Sequence, residues 1–569
     1  MTTSAAAPRV AATAVLVRLL AIAALLMLPA VFAGVPRAVA VEPGAAPFLL
    51  VRIDRVTPDV VTTTSEPTVT VAGAVQNVGD RPVRDVMVRL EHTAAVTASA
   101  GLRTNLTGNV DQFEPVASFI TLAPELLRGQ AVPFTLSYPL RSAELPSLHI
   151  EQPGVYPVMV NVNGTPDYGA PARLDDARFL LPVLGVPPEP ARESTADTLA
   201  SVIPPDTSRP VRLTMLWPLA DRPRLAAGAP GGTTPVRLID DELATSLAAG
   251  GRLDILLSAI DFATSPQVDA DGQVRSAMCV AVDPDLLVTV NAMAGGYVVN
   301  DAPDAGPTTP THPGTGQDVA VAWLNRLKAL AQRMCVTSTT YAQADLDALH
   351  RVGDSGLSAI ATGGAADIVD QILGVPSTRG ATLVGDGPLT GAAVDLLSAH
   401  GQTVAIGAAN FAAQDNTGEP ATADLNPVRY SPSVVSAPFD PTVGAALAGA
   451  GTQPVSPTYL DPTLDIPLKH DSSVARRQDA VGAMLWSSLR PDAEPRTEIL
   501  MPPPVWTLQA DDAQAILTGV ATAIHSGLAV PRPLTSVIAE AAAVPPQDVA
   551  PAPDSALGNP RGHFDDGVV

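Results

Sequence analysis

Apolar and polar positions alternate along residues 47–185, a period of two that predicts strands. Val69-Thr70-Val71-Ala72-Gly73-Ala74-Val75 alternates and then meets the turn cluster Asn77-Val78-Gly79-Asp80. From Val83 to Leu90 the alternation returns, with Val86, Val88 and Leu90 on one face and Arg84, Met87 and Arg89 on the other. Phe134 to Tyr138, Val155 to Val162 and Phe179 to Val183 repeat it. Short strands divided by turn residues predict an immunoglobulin-like β-sandwich over 47–185, with a long insertion around 92–130. Such a domain holds, spaces or binds.

Residues 186–209 read as a Pro-rich linker, stiff and extended through Pro187-Pro188-Glu189-Pro190 and Pro204-Pro205. From Val211 the period changes. Apolar runs now alternate with helical stripes: Val211–Leu219 as a strand, then a helix opened by Asp240-Asp241-Glu242 with Leu243, Leu247, Leu253, Leu256 and Leu257 along its buried side. Strands follow at Cys279–Val282, Cys335, Ala381–Val384, Thr403–Gly407, Val434–Pro438 and Thr497–Met501. Helices are expected at Val319–Gln332, Ala344–Val352, Thr390–His400, Ala475–Leu489 and Ala510–Ser526. This order predicts a (β/α) barrel-like domain with a parallel sheet over 210–540. No glycine-rich phosphate loop follows any strand, which argues against a nucleotide-binding fold. The fold class expected is therefore multidomain: all-β first, then α/β.

The two ends read differently. Arg9 and Arg18 precede an apolar stretch from Leu19 to Ala33, weakened by Pro29 and followed by Gly34, and Ala38-Val39-Ala40 supplies a small-x-small cleavage site. Residues 1–40 are expected to be a signal peptide cut after Ala40, or else an N-terminal anchor, and this is the membrane contact expected for the chain. Residues 541–569 lack any period and are expected to be a disordered tail. Phe564-Asp565-Asp566-Gly567 looks like a deacetylase metal stretch, but it stands in that tail with no histidines after it and is set aside.

Charge narrows the partners. The chain carries 34 Lys and Arg against 57 Asp and Glu, a formal charge of −23, which disfavours nucleic acid. The eight histidines form none of the short metal-binding spacings, so no metal or cofactor is expected. The two cysteines, Cys279 and Cys335, each open a strand-turn-helix segment. On neighbouring parallel strands they would lie about 4.8 Å apart, within disulfide range, and export makes such a bridge the expected state.

In a barrel, chemistry gathers at the C-terminal ends of strands. Those positions offer Asp221, Asp283, Tyr341, Asp386, Asn410, Asp440 and Glu498. Asp283 and Asp386 are the candidate acid–base pair for glycoside hydrolysis. The competing reading of Asp283 is a helix cap in an Asp-Pro turn, and of Asp386 a turn between two glycines. Trp217, Asp221, Asp283 and Tyr341 are the candidate binding residues.

Leu216-Trp217-Pro218-Leu219-Ala220-Asp221-Arg222-Pro223 resembles the signature of an actinobacterial envelope family whose members are described as glycoproteins or conserved membrane proteins. The likeness continues through Asp240-Asp241-Glu242-Leu243-Ala244, Gly251-Arg252-Leu253-Asp254, Val282-Asp283-Pro284-Asp285-Leu286-Leu287 and Tyr341-Ala342-Gln343-Ala344-Asp345-Leu346. Relatives often carry Asp where this chain has Gln343. The resemblance spans about residues 47–540 and implies a signal, a β domain and a barrel-like domain, usually with a C-terminal membrane helix. Genes of the family commonly neighbour that of the lipid II flippase, which implies a link to peptidoglycan or envelope assembly. The expectation is a non-catalytic extracytoplasmic protein, secreted or held in the envelope, that binds or scaffolds an envelope protein, a glycan or a lipid-linked precursor. The alternative is a carbohydrate-active enzyme with carboxylates at the barrel mouth.

Overall fold

The structure is a computed structural model that describes residues 47–545, apart from short breaks at 109, 143, 189–201, 227–234, 303–308, 388, 416, 469–470 and 491–495. The expected signal with Ala38 and Ala40, and the stretch at Phe564, lie outside the described residues. The chain is mixed α/β, multidomain, with antiparallel sheets first and parallel sheets after them.

The first region holds β1 (Leu49–Thr57), β2 (Thr68–Asn77), β3 (Val83–His92), β4 (Glu114–Pro115), β5 (Ile120–Leu126), β6 (Ala131–Pro139), β7 (Gly154–Pro166) and β8 (Ala172–Val183). One antiparallel sheet runs β1-β2-β6; the other runs β4-β3-β7-β8, with β5 also on β3. Their facing sides share one core, in which Val51, Ile53, Val71, Val86, Val88, Leu90, Leu136, Val160 and Phe179 are buried. The faces read from β3 are those observed: Val86, Val88 and Leu90 are buried, while Arg84 is exposed and Met87 and Arg89 half-exposed. Within the predicted insertion the chain forms a short helix, Gly101–Thr107.

The second region adds β9 (Val211–Leu219), β10 (Val236–Leu238), β11 (Met278–Val282), β12 (Tyr297–Asn300), β13 (Thr311–Pro313), β14 (Cys335–Ser338), β15 (Ala381–Leu383), β16 (Thr403–Ala408), β17 (Val428–Arg429), β18 (Val434–Phe439), β19 (Thr497–Leu500) and β20 (Ala529–Pro531). One sheet has the order β14-β11-β9-β19, all parallel, with β20 also beside β9. A second has the order β15-β16-β18-β17 and is parallel except for β17, and a small third sheet, β10-β12-β13, is parallel at its first pair and antiparallel at its second. The two larger sheets meet at β14 and β15, where the Thr378 N–H donates to the Val336 carbonyl at 2.7 Å and the Thr337 hydroxyl to the Thr378 carbonyl at 3.1 Å. One face of each contributes to a common core: Leu216, Cys279, Ala281 and Ile499 with Leu383, Val404, Ile406, Val435 and Ala437. The opposite face of the first sheet (Leu213, Met215, Trp217, Val280, Val282) packs against helices.

Cys279 and Cys335 are register partners on β11 and β14 and form a disulfide with Cα atoms 4.6 Å apart. The bridge expected from the strand spacing is present.

Three expectations change. The stripe opened by Asp240 is two helices, Glu242–Leu247 and Arg252–Ala263, because Gly250 takes a positive φ of 77° between them. Glu242–Ala263 has the length and composition to cross a membrane, but Leu243, Leu247, Leu253, Leu256, Leu257 and Ile260 are buried in the core of the second region. The linker does not simply hold the regions apart, since Val186 and Ile203 exchange backbone hydrogen bonds of 2.8 and 3.0 Å. The last helix, Leu534–Ala542, buries Val537 and Ala541 and so takes in the first residues of the segment expected to be a tail.

The two regions are fastened by helix Ser473–Trp486. Its Asp479 accepts the Leu180 N–H at 3.0 Å, its Gln478 donates to the Asp59 carbonyl at 2.9 Å, and the Trp486 indole N–H donates to the Val96 carbonyl at 2.8 Å. Gly482 lies between these contacts, where an added Cβ would stand 2.6 Å from the Leu180 Cβ. On an open helix Gly→Ala gains about 1 kcal/mol. Here the sign should reverse, with Gly482→Ala destabilising the chain by about 1–3 kcal/mol through overpacking. Urea unfolding of the two proteins checks it, and a stabilised variant would contradict it.

Candidate functional site

The motifs that carry the family resemblance converge at the C-terminal ends of β9, β11 and β14. After β9, Asp221 is buried and ion-paired with Arg224 at 3.2 Å and Arg252 at 3.6 Å. Arg222 and Arg224 reach the acidic start of the next helix: Arg222 is 2.7 Å from Asp240 and 2.9 Å from Glu242, and Arg224 pairs with both. The signature arginines thus tie two motifs into one ion network. Beside it, Asp241 accepts from the backbone N–H and hydroxyl of Thr315 at 2.9 and 2.6 Å and from the Tyr297 hydroxyl. The arrangement locks the loops after β9 in place.

Asp283 follows β11 and caps helix Pro284–Ala294. It is 0 % exposed. Its carboxylate accepts from the Asp285 N–H at 3.0 Å, the Ala342 N–H at 3.0 Å and the Gln343 side-chain amide at 3.1 Å. Burial is the largest effect on it and pushes its pKa up to about 7, with Asp285 adding to the rise while the three donors oppose it. Asp285 is raised too, by burial, and hydrogen-bonds Tyr341. Ala342 and Gln343 hold positive φ angles of 52° and 54°, a backbone strain that brings two donors onto Asp283.

These positions correct the sequence reading of the mouth. Asp283 is an enclosed cap, which removes the open acid–base pair expected of it with Asp386. Asp386 is exposed and lies beside Thr458, whose N–H donates to its carboxylate at 3.2 Å and whose hydroxyl donates to its backbone carbonyl at 2.5 Å. Trp217 is fully buried: its indole N–H donates to the Leu256 carbonyl at 3.0 Å and its ring meets Trp506 edge-on at 5.4 Å. It is a core residue and offers no binding surface. Asp221 is closed by its arginines, and Tyr341 is half-buried against Asp285.

Gln343 also donates to the Asp221 carbonyl at 3.0 Å, so its amide joins the loops after β9, β11 and β14. A carboxylate here cannot make either bond. Gln343→Glu should therefore cost about 1–3 kcal/mol at pH 8 and less at pH 5, where the new acid can be protonated. Thermal melts at the two pH values test this; equal losses would refute it.

A second carboxyl group of sites sits at the other junction of the sheets. Asp440 follows β18, caps helix Pro441–Gly449 and accepts from the Thr442 N–H and hydroxyl at 2.9 and 2.6 Å. Burial raises its pKa, opposed by Thr442 and by Ser99 from the first region. Glu498 lies in β19, where burial and then Asp440 raise it well above the ordinary carboxyl range. The sequence places Glu498 at a strand end; in the structure it is inside the strand, opposite Leu213 of β9. Its signal was a lone acid in the apolar run Ile499-Leu500-Met501. Asp269, Asp271 and His525 also gather closely enough to hold an ion. Asp269, however, already accepts the Val274 and Arg275 N–H groups at 3.1 and 2.8 Å.

No family model matches the chain. No curated protein matches it either. Among solved structures, it is similar to an ApaA protein from Bordetella pertussis (17 % identity, TM-score 0.16, covering 24 % of this chain and 93 % of that one). A CARDB domain from Pyrococcus furiosus, solved with two metal ions, shares 18 % identity at a TM-score of 0.15 over 24 % of this chain and 88 % of its own. The alpha-amylase AmyC from Thermotoga maritima shares 8 % identity at a TM-score of 0.25 over 42 % of this chain and 48 % of its own. At these scores the likenesses assign no activity.

Proposed function

We propose that this chain is a non-catalytic extracytoplasmic binding or scaffolding protein of the cell envelope. The observation that carries the non-catalytic part is Asp283, enclosed and held by three donors where an acid–base pair would need an open carboxyl. The Cys279–Cys335 disulfide suits an oxidising compartment, as does the signal-like segment 1–40. The acidic charge and the helix-fastened regions suit a rigid holder of a protein, glycan or lipid-linked precursor, and the family resemblance links it to lipid II flippase and peptidoglycan assembly. In this reading the first region is an immunoglobulin-like sandwich. The second is a seven-stranded (β/α) barrel interrupted at two seams, since β9, β11, β14, β15, β16, β18 and β19 follow one another in chain order through the two larger sheets, with β20 added beside β9.

The enzyme alternative, carboxylate chemistry on a glycan, has less support because its best pair is not an open one. A reporter fused to residue 545 should be active outside the cytoplasm when residues 1–40 are present. Crosslinking in the envelope should then capture a defined partner. Hydrolysis of cell-wall glycan by the purified protein, lost in Asp283→Ala, would overturn the proposal.

A further inference from the structure

A cavity of about 220 Å³ lies at the junction of β18 and β19, lined in part by Asp440, Glu498, Trp486, Arg490, Asp424 and Asn426. The first region helps to build it: the Ala423 N–H donates to the Ser99 hydroxyl at 3.0 Å, and the Ala100 N–H to the Ala421 carbonyl at 3.0 Å. Glu498 is 2 % exposed, and its Oε1 has no hydrogen-bond partner among the described residues. Ser487 engages its carboxyl, and the charged group acting on it is Asp440, of the same sign. Arg496 also lines the cavity but directs its guanidinium at the carbonyls of Ser487 and Ser488, 3.0 and 3.1 Å away, and of Arg209. Arg490 stacks on the Trp486 ring at 4.7 Å.

A buried acid with an unsatisfied oxygen and, among the described residues, no ion-pair partner opposes folding, where an apolar side chain would not. A cationic ligand removes that cost. We propose that this cavity binds a small primary amine, whose ammonium donates to the Glu498 carboxyl beside the Asp440 carboxylate and whose ring-sized body fills the remaining space. A cavity of about 150 Å³ holds one benzene ring, so this one takes a body somewhat larger. A divalent metal fits less well: Asp440 already accepts two Thr442 donors, and calcium takes about six to eight oxygens.

The site rests on the binding-protein reading above, yet the two fail separately. Capture of an envelope partner without amine binding removes the site alone; amine binding without capture retains it.

Calorimetric titration of the chain with benzylamine and with neutral benzyl alcohol tests the site. Benzylamine should bind at least about tenfold more tightly than the alcohol, the difference expected of a charge-assisted bond. Glu498→Gln should abolish that preference without lowering the melting temperature. Asn426→Trp, on the exposed wall, should block the amine by filling the cavity and guards against a folding effect of the first variant. Asp386→Ala, away from the cavity, should leave binding unchanged. Equal binding of amine and alcohol, no benzylamine binding at millimolar concentration, indifference to both cavity variants, or calcium alone binding in place of the amine would each overturn the proposal.

Discussion

Loss of the Cys279–Cys335 bridge should lower the stability of the chain by about 4 kcal/mol, the loop-closure entropy expected for cysteines 56 residues apart. The bridge joins register partners on β11 and β14, so it needs no rearrangement of the sheet to form. The sulfurs replace what would otherwise be two small apolar side chains in the core shared by the two sheets. Cys279→Ala/Cys335→Ala should therefore lose mainly the cross-link, and urea unfolding of that variant should match the wild type measured under reducing conditions. A loss below about 1 kcal/mol would show that the unfolded chain keeps these strands together without the bond.

Stability should also fall as pH rises from about 4 to 8. A carboxyl with a higher pKa in the folded chain than in the unfolded one contributes its full stability below the unfolded value. That contribution is lost as pH climbs through the folded value. Asp283 spans the ordinary 3.8 to about 7, a shift on the order of 4 kcal/mol. Asp440, Asp479 and Glu498 are raised by burial as well and act in the same direction. Asp241, Asp370 and Glu540 are lowered by their partners, and their contribution disappears below about pH 4. Melting temperatures across pH 4 to 8 should thus peak near the acidic end. Asp283→Asn, whose amide can pair with a turned Gln343 amide, should flatten the profile. A profile that rises towards pH 8 would contradict the account.

The parts of this architecture that follow from periodicity were legible in the residues. Val86, Val88 and Leu90 showed their inward face, the parallel strands showed as apolar runs between helical stripes, and the two cysteines showed their register by opening similar segments. What was not legible depends on partners remote in sequence. An aspartate at the end of a parallel strand looks the same whether it caps a helix or awaits a substrate; only the arrival of Ala342 and Gln343 decides it for Asp283. Trp217 reads as a candidate binding residue in a signature motif until Trp506 and the Leu256 carbonyl meet it. Helix Ser355–Ala361 is short and rich in Gly, Ala and Ser, too small a set of side chains to print a stripe, whereas Gly363–Leu373 does carry one, on Ala365, Ala366, Val369 and Leu373. Asp479 and Gly482 had no local signal at all, because their role is set by Leu180 of the other region.

The placement of β9 has a consequence in time. This strand opens the second region, yet it pairs with β19 and β20, and Arg212 at its start shares Glu540 with Arg532. A chain that emerges from its N-terminus can pair β1 to β8 early, since all their strand partners are near in sequence. β9 must then wait, with one edge open, until almost the whole remaining chain has been made. Its apolar run Leu213, Met215 and Trp217 is an aggregation hazard during that interval. That edge closes only when residues 497–531 arrive.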